Sequence, residues 1–381
     1  MFRTRIVSTV LGLCLTTLSL SGAPSVPGFS VETYAVFPTD VVPIMLTVSP
    51  SGVLFVGNDN NSGLVTIFRV GVGGTPVESY GPPINDPDPV AFDVDGSVAS
   101  VPGSVLTGNI DGKIFAIDPN QQSSVCATGS PLSNPTDMVF NSQGQLLIVD
   151  GYPNGRVLRL LQCGTTPTEL ITLPAFAGNI DVDAQGRIFT SAIDGSIRIH
   201  DASGVLLNDS CVTGPSTVVA DAIAIGRGSC PWGTDLYVFK HSTRELLRVT
   251  VTDGANPSCT QVVIGTELDG GYDLAFSPDG ALYVSGDFLS RFVSRIAPLD
   301  IDNDGVPDAC DNCPTIPNAN QSNIDGDAFG DACDPCPFDP TNTTNAEGQC
   351  IPTLSEWGMM AMAGLVLLAG GVVIARRRAA A

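Results

Sequence analysis

The sequence predicts an all-β protein whose central part is a six-bladed β-propeller. Glycine and proline are frequent, with 41 and 29 copies, and Val, Ile and Leu recur in short runs without helical spacing. One unit repeats along the chain: an apolar run, a turn containing Gly, a second apolar run, and a Gly-led strand of alternating aliphatic residues. Its period of about 42 to 52 residues is typical of a four-stranded propeller blade.

Six copies of this unit lie between residues 27 and 299. Their leading segments are Leu46–Val56, Val90–Gly96, Asp137–Val149, Ile180–Phe189, Ala222–Ile225 and Leu274–Val284. Because the sheet of one blade cannot bury both of its faces alone, we expect the copies to stack radially. The segment from Phe29 to Phe37 is expected to be the strand that closes the ring.

The stretch Ser277 to Val284, with the sequence Ser-Pro-Asp-Gly-Ala-Leu-Tyr-Val, resembles NHL and gluconolactonase-like six-bladed propellers. That resemblance implies the fold. It does not select a function, because such propellers include lactonases, lyases and binding platforms. The gluconolactonase type of metal site also expects a Glu early in the ring and two Asn later, and Glu32 has no clear claim to that position.

Four polar residues precede the turn glycines by seven positions and would begin the innermost strands. They are Asp137, Asn179, Asp221 and Asp273. If they converge at one mouth of the channel, they suit a divalent cation or a polar substrate. The alternative is that each caps or hydrogen-bonds its own blade turn. Met45 and Pro89, at the same place in the first two blades, favour that alternative.

Other catalytic signals are sparse. His200 and His241 are the only histidines, both are expected to be surface or turn residues, and no Gly-x-Ser-x-Gly elbow occurs. The formal charge of −22 excludes nucleic acid as a partner, because phosphates need Lys and Arg, and it makes cations the expected ligands.

The composition changes at Asp300, where carboxylates recur with the spacing of a calcium-binding loop. Gly305 stands at position six, where the loop turns sharply. A second loop starts at Asn323 and has Ala328 at position six, so it is expected to bind more weakly. The predicted ligands are Asp300, Asp302, Asp304, Val306, Asp308 and Asp311, then Asn323, Asp325, Asp327, Phe329, Asp331 and Asp334.

Residues 300–337 resemble two thrombospondin type 3 repeats, including the link from Asn318 to Gln321. The resemblance implies that both loops bind Ca²⁺. A disordered acidic linker is the alternative, although random acidity would not keep the same spacing twice. Residues 338–350 are expected to form a linker.

The two chain ends predict export and membrane attachment. Residues 1–23 have the charged start and apolar run of a signal peptide, with a buried strand as the alternative. Near the other end, Gly358 to Ala375 is uncharged and long enough for one transmembrane helix. Three arginines follow it, which places them in the cytoplasm and disfavours a buried core helix.

The segment before this helix carries a short motif. Its residues are Ile351, Pro352, Thr353 and Leu354, followed by Trp357 and Gly358. Residues 351–381 resemble a bacterial C-terminal sorting segment named for its Ile-Pro-Thr-Leu motif. The resemblance implies handling by an exosortase-like sorting protease, and the helix would then be a temporary anchor.

Ten of the eleven cysteines remain once Cys14 leaves with the signal peptide, an even number for an oxidising compartment. The Asp-rich module contains Cys310, Cys313, Cys333, Cys336 and Cys350. The two Cys-x-x-Cys pairs also fit a zinc ribbon, but oxidised cysteines cannot ligate zinc. We expect bonds from Cys313 to Cys333 and from Cys336 to Cys350, which leaves Cys310 for a propeller cysteine.

The complete fold expected is a six-bladed propeller, a small calcium-binding, disulfide-stapled module and a single C-terminal transmembrane helix. The expected function is that of an exported calcium-binding protein, held at the cell envelope or released, whose propeller is a binding platform. A metal-dependent enzyme of lactonase or lyase type is the alternative, and an envelope scaffold is a third.

Overall fold

The structure is a computed structural model that describes residues 23–59, 63–151, 155–212, 220–287 and 290–351. Within these ranges the chain forms 24 β-strands and no helix. None of the described segments therefore provides a membrane-crossing helix. The predicted signal peptide, the predicted span from Gly358 to Ala375 and most of the sorting motif lie outside these ranges.

The strands form six four-stranded antiparallel sheets, each one a blade. The first blade contains β2 (Pro43–Val48), β3 (Leu54–Asn58), β4 (Leu64–Val70) and β5 (Val77–Asn85). The second contains β6 (Val90–Asp93), β7 (Ser104–Asn109), β8 (Lys113–Ile117) and β9 (Ser123–Thr128). The third contains β10 (Pro135–Phe140), β11 (Leu146–Asp150), β12 (Arg156–Leu160) and β13 (Thr168–Thr172).

The remaining blades follow the same order, except at the ring closure. The fourth contains β14 (Ala177–Val182), β15 (Ile188–Ala192), β16 (Ile197–His200) and β17 (Leu206–Val212). The fifth contains β18 (Ala222–Ile225), β19 (Leu236–Lys240), β20 (Glu245–Val251) and β21 (Cys259–Gly265). The sixth contains β22 (Leu274–Phe276), β23 (Leu282–Val284), β24 (Phe292–Pro298) and, as its outermost strand, β1 (Phe29–Val36).

The ring is closed by the N-terminal strand. β1 pairs antiparallel with β24, from Phe29 opposite Pro298 to Val36 opposite Phe292. The first strands of successive blades contact one another around the ring, and β2 contacts β22 where the circle meets. This arrangement confirms the predicted six-bladed propeller.

The blade positions explain the sequence pattern of each strand. Second strands such as β3, β11 and β19 are buried along their whole length, so they are almost continuously apolar. The apolar core accordingly lies between blades; Leu147 and Val157 of the third blade, for example, pack with Val182 and Ile188 of the fourth.

The turn from first to second strand depends on glycine. Gly144 and Gly280 have φ of +71° and +80°, a conformation that side chains with a Cβ rarely adopt. Their N–H groups donate to Asn141 and Ser277 carbonyls at 3.0 and 3.1 Å, respectively. The repeated turn glycine in the sequence is therefore a backbone requirement of each blade.

The expectation that His200 lies at the surface or in a turn is wrong. This residue ends β16, is 4% exposed, and its Nδ1 atom has no hydrogen-bond partner among the described residues. Burial lowers the pKa of His200, as does the nearby Arg198 charge. All four residues of β16, the third strand of its blade, are buried, which a short sequence pattern did not reveal.

Candidate metal centre

The first Asp-rich loop gathers its carboxylates around one point. Asp300, Asp302 and Asp304 each place an oxygen within 4.8 Å of the others. Oδ2 of Asp302 and Oδ2 of Asp311 are buried and have no hydrogen-bond partner in the described part of the chain. Buried acceptors are normally paired, so these two oxygens are candidate ligand atoms for a cation.

Backbone N–H groups hold the other oxygens of this loop in place. Oδ1 of Asp302 accepts the N–H of Asp304 at 3.2 Å, and Oδ1 of Asp311 accepts the N–H of Cys313 at 2.7 Å. Oδ1 of Asp308, at position nine, accepts the N–H of Ile301 at 2.8 Å. The chain thus fixes one oxygen of Asp302 and Asp311 and leaves the other without a donor.

The second loop repeats this arrangement. Asp325, Asp327 and Asp334 place carboxylate oxygens within 4.8 Å of one another. Oδ2 of Asp325 and Oδ2 of Asp334 are again buried and without a partner among the described residues. Asp331 accepts the N–H of Ile324 at 2.8 Å, as Asp308 does in the first loop. The unpartnered oxygens therefore occupy positions three and twelve in both loops.

This part of the chain contains no positively charged side chain. Residues 300–351 include ten Asp and one Glu, and no Lys, Arg or His. Burial raises the pKa of Asp302, and the charges of Asp304, Asp311 and Asp300 raise it further. Hard carboxylate oxygens of this density fit Ca²⁺, which takes six to eight oxygen ligands.

The link between the loops is hydrogen-bonded to predicted ligands of the first loop. The N–H of Asn318 donates to Oδ2 of Asp304 at 2.7 Å. The side-chain amide of Gln321 donates to Oδ1 of Asp311, also at 2.7 Å. The position of the second loop therefore depends on the carboxylates of the first.

Disulfides staple the module internally and to the propeller. The structure pairs Cys313 with Cys333 and Cys336 with Cys350, the two bonds expected from the sequence. Cys310 bonds to Cys230, beside the buried Trp232 of the fifth blade. The two remaining bonds, Cys126–Cys163 and Cys211–Cys259, lie within the propeller.

Residues 338–350, predicted as a linker, contain local structure. Asp339 is 3% exposed and accepts hydrogen bonds from Thr341 and Thr343. Thr344 and Cys350 form an isolated antiparallel bridge. The Cys336 bond crosses this segment, so it is tied to the module at both ends.

Polar residues of the propeller channel join neighbouring blades. Three of the four predicted ring residues accept a backbone N–H from the first strand of the next blade. The pairs are Asp137 Oδ2 with Ile180 at 2.8 Å, Asn179 Oδ1 with Ile223 at 3.2 Å, and Asp273 Oδ2 with Leu46 at 2.7 Å. In these contacts each side chain connects two neighbouring blades.

The fourth ring residue differs. Oδ2 of Asp221 accepts from Nζ of Lys240 at 2.5 Å, and its Oδ1 accepts from the N–H of His241. Burial raises the pKa of Asp137 to about 7, and burial together with the Asp137 charge raises the pKa of Asp273 well above its usual range. Asp137 and Asp273 line one cavity of about 240 Å³, whereas Asn179 lines another of about 240 Å³.

A carboxylate group that the sequence did not indicate lies beside the second cavity. Asp59, Asp86 and Asp88 place oxygens within 4.8 Å of one another, and Oδ1 of Asp88 is buried without a partner among the described residues. Burial raises the pKa of Asp88 to about 9, with further contributions from Asp86 and Asp59. Glu32, by contrast, is exposed on the outermost strand β1, where it pairs with Arg295 at 3.1 Å.

Comparison with known families identifies two segments near the C-terminus. Residues 298–321 match the thrombospondin type 3 repeat, and residues 349–378 match the IPTL-CTERM motif. The first match spans the first Asp-rich loop and its link; the second spans the predicted sorting segment. Together they indicate an exported protein with a repeat of the calcium-binding type. No curated protein matches the chain.

Solved structures similar to the chain are propellers of low sequence identity. A protein of Thermus thermophilus described as an oxidoreductase of glucose dehydrogenase type is 16% identical, with 71% of this chain and 100% of that chain covered and a TM-score of 0.53. A catalytically inactive virginiamycin B lyase of Staphylococcus aureus with quinupristin is 14% identical, with 71% and 100% covered and a TM-score of 0.52. A gluconolactonase of Xanthomonas campestris is 13% identical, with 71% and 90% covered and a TM-score of 0.51. These likenesses show the fold alone.

Proposed function

We propose that the protein is an exported calcium-binding protein of the cell envelope, in which the propeller is a binding platform and the Asp-rich module is a calcium-ordered spacer. In this proposal residues 27–299 form the platform, 300–337 the calcium module, 338–350 the join and 351–381 the sorting segment. An exosortase-like protease acts on that segment, and its helix holds the chain in the membrane until then.

One observation carries the calcium assignment. Asp302 and Asp311 in the first loop, and Asp325 and Asp334 in the second, each bury a carboxylate oxygen that has no donor among the described residues. Desolvated anionic oxygens are costly unless they are paired or bound to a metal. Two loops with the same unpartnered positions therefore support two Ca²⁺ ions, with Val306 and Phe329 supplying backbone carbonyls.

Bound calcium would supply charge neutralisation and a fixed coordination shell. The protein residues perform the structural part. Backbone N–H groups orient each Asp, and the Asn318 and Gln321 contacts transmit the order of the first loop to the second. With calcium bound, the segment becomes a compact spacer between the platform and the membrane.

Calorimetric calcium titration tests this assignment. Asp302→Asn should remove binding by the first loop, and Asp325→Asn should remove binding by the second, because each substitution neutralises a ligand with little change in shape. The control is Glu347→Gln, which removes an exposed carboxylate of the adjacent join, outside both loops. Unchanged stoichiometry in the double variant would refute the module as the calcium site.

The alternative is a metal-dependent enzyme of lactonase or lyase type, and one observation supports it. Asp59, Asp86 and Asp88 meet beside the cavity that Asn179 also lines. The inter-blade hydrogen bonds of Asp137, Asn179 and Asp273 favour a structural role for the ring and so favour the binding platform. Calcium binding that persists in the Asp302→Asn, Asp325→Asn double variant but disappears with Asp88→Asn would favour the enzyme.

A further inference from the structure

Arginines occupy equivalent positions on the third strand of four blades. Arg69, Arg159, Arg248 and Arg295 each lie opposite a second-strand residue, respectively Phe55, Leu147, Tyr237 and Tyr283. Arg248 pairs with Asp235 at 2.5 Å, Arg295 pairs with Asp279 and Glu32, and Arg69 is exposed to solvent. The fourth, Arg159, is half-buried and has no ion pair among the described residues.

Part of the Arg159 guanidinium is buried without an acceptor. Its Nε atom is buried and has no hydrogen-bond partner in the described chain. Arginine stays charged at any physiological pH and carries only donors, so a buried guanidinium N–H without an acceptor is unfavourable. In a chain of net charge −22, a partly buried cation without a carboxylate partner calls for an explanation.

Arg159 lines a cavity of about 170 Å³ between the third and fourth blades. Side-chain amides surround it, and no Asp or Glu is among the residues that line it. The polar members are Asn141, Ser142, Gln143, Gln145 and Gln185. At roughly 30 Å³ for each water molecule, the space exceeds that of a single ion.

An equivalent crevice between the sixth and first blades provides an internal comparison. There Arg295 lines a cavity of about 600 Å³ together with Asp279 and Glu32, which neutralise it. Asp279 directly precedes the turn glycine Gly280, and the residue at the same place before Gly144 is Gln143. The third blade thus keeps the arginine, but the acidic turn residue is replaced by a neutral amide.

We infer that the crevice between the third and fourth blades binds a carboxylate-bearing polar ligand, whose anionic group pairs with Arg159. A guanidinium recognises a carboxylate through paired hydrogen bonds, and the surrounding amides suit further oxygens of the ligand. One guanidinium among neutral side chains balances one negative charge. A monoanionic carboxylate therefore fits better than a dianionic phosphate.

The test is calorimetric titration of the full exported chain in detergent, at constant calcium concentration, with sodium glucuronate as the carboxylate probe. Glucose is the neutral probe of similar size, and inorganic phosphate is the dianionic one. We expect glucuronate to bind with one-to-one stoichiometry and glucose not to bind. Binding of phosphate more tightly than glucuronate, or no binding of glucuronate, would overturn the assignment.

Variants of the turn residue separate the charge effect from folding. Gln143→Asp places a carboxylate where the sixth blade has Asp279, so it should weaken glucuronate binding at least about tenfold, whereas Gln143→Asn, which shortens the side chain but stays neutral, should weaken binding much less than Gln143→Asp. Arg159→Gln should weaken binding by the same factor. Equal binding by the Asp and Asn variants would overturn the proposal even if Arg159→Gln failed to fold.

The crevice between the sixth and first blades allows the converse test. Glu32→Gln with Asp279→Asn removes both carboxylate partners of Arg295 and should add a second glucuronate site. Unchanged stoichiometry would count against the argument from equivalent crevices.

Discussion

Two groups of buried carboxylate oxygens differ in their partners: some accept backbone N–H groups, and others have no donor among the described residues. Asp137 and Asp273 belong to the first group and join the first strands of adjacent blades. Asp302 and Asp325 each present one oxygen of the second group. The first group stabilises the ring without a ligand, whereas the second becomes favourable only when a cation is bound.

Asp137→Ala should destabilise the propeller. The substitution leaves the buried N–H groups of Met138 and Ile180 without their acceptor, which costs about 1–3 kcal/mol of unfolding free energy. Asp137→Asn should cost less, because its amide oxygen still accepts one of them. Urea unfolding followed by the fluorescence of the buried Trp232 measures both changes. Asp40→Ala, at an exposed turn, is the control, and equal stability of the two Ala variants would contradict the role of Asp137 in joining the third and fourth blades.

Asp88→Asn should change how stability depends on pH. The pKa of Asp88 is raised to about 9 in the folded chain, above about 3.9 for an unfolded Asp, so the folded state retains a proton that the unfolded state releases. Wild-type stability should therefore fall as pH rises from about 4 toward about 9, and the Asn variant should lack this part of the loss. Urea midpoints measured across that window in EGTA give the comparison.

Asp40→Asn provides the matched control for Asp88→Asn. It removes one carboxylate from an exposed turn, so its stability relative to wild type should stay constant across the pH window. Parallel pH profiles for wild type and Asp88→Asn would show that burial of this carboxyl group does not bias folding.

At the scale of elements, the sequence was most informative where structure is local. The turn glycines Gly144 and Gly280 and the first strands beside them were predicted because a tight turn with positive φ demands glycine. The closing strand was also predicted, and β1 fills that place. The spacing of the Asp-rich loops is local too, so the ligands that meet in each loop could be read directly.

The sequence pattern did not predict which residues of different blades contact one another. Asp59 follows β3, whereas Asp86 and Asp88 lie between β5 and β6, and only the sheet order brings them together. The burial of His200 was missed for the same reason, because both faces of β16 lie between neighbouring blades. The unpaired state of Arg159 likewise depends on which turn residue stands beside it in three dimensions.

Removing the bond between the domains should weaken the first calcium loop. Cys310 stands next to Asp311, so its bond to Cys230 restrains the position-twelve ligand of that loop. Cys230→Ser with Cys310→Ser should lower calcium affinity in an Asp325→Asn background, where only the first loop binds. The same pair in an Asp302→Asn background should leave affinity nearly unchanged, because the bonds of Cys333 and Cys336, which flank Asp334 of the second loop, stay intact. Equal losses of calcium affinity in the two backgrounds would contradict a specific effect of the Cys230–Cys310 bond on the first loop.

At the scale of the whole molecule, the two parts are stabilised by different forces. The propeller buries apolar faces between blades and closes on itself. The Asp-rich module exposes Ile301 and Ile324 and has little apolar core, so in the proposed function disulfides and bound calcium supply its order. Calcium removal should therefore affect the module but not the propeller.

In a chain ending at Ile351, EGTA should loosen the module and leave the propeller folded. Without calcium, eleven acidic residues between 300 and 351 repel one another with no Lys or Arg to offset them. The N–H groups of Cys313 and Cys336, which donate to Asp311 and Asp334, should then exchange hydrogen faster. Trp232, the only tryptophan of this chain, should keep its buried emission. The Asp302→Asn, Asp325→Asn variant should exchange fast with or without calcium. If hydrogen exchange in the module were the same with and without calcium, the spacer would not be calcium-ordered. If Trp232 became exposed when calcium was removed, the two parts would not be stabilised independently.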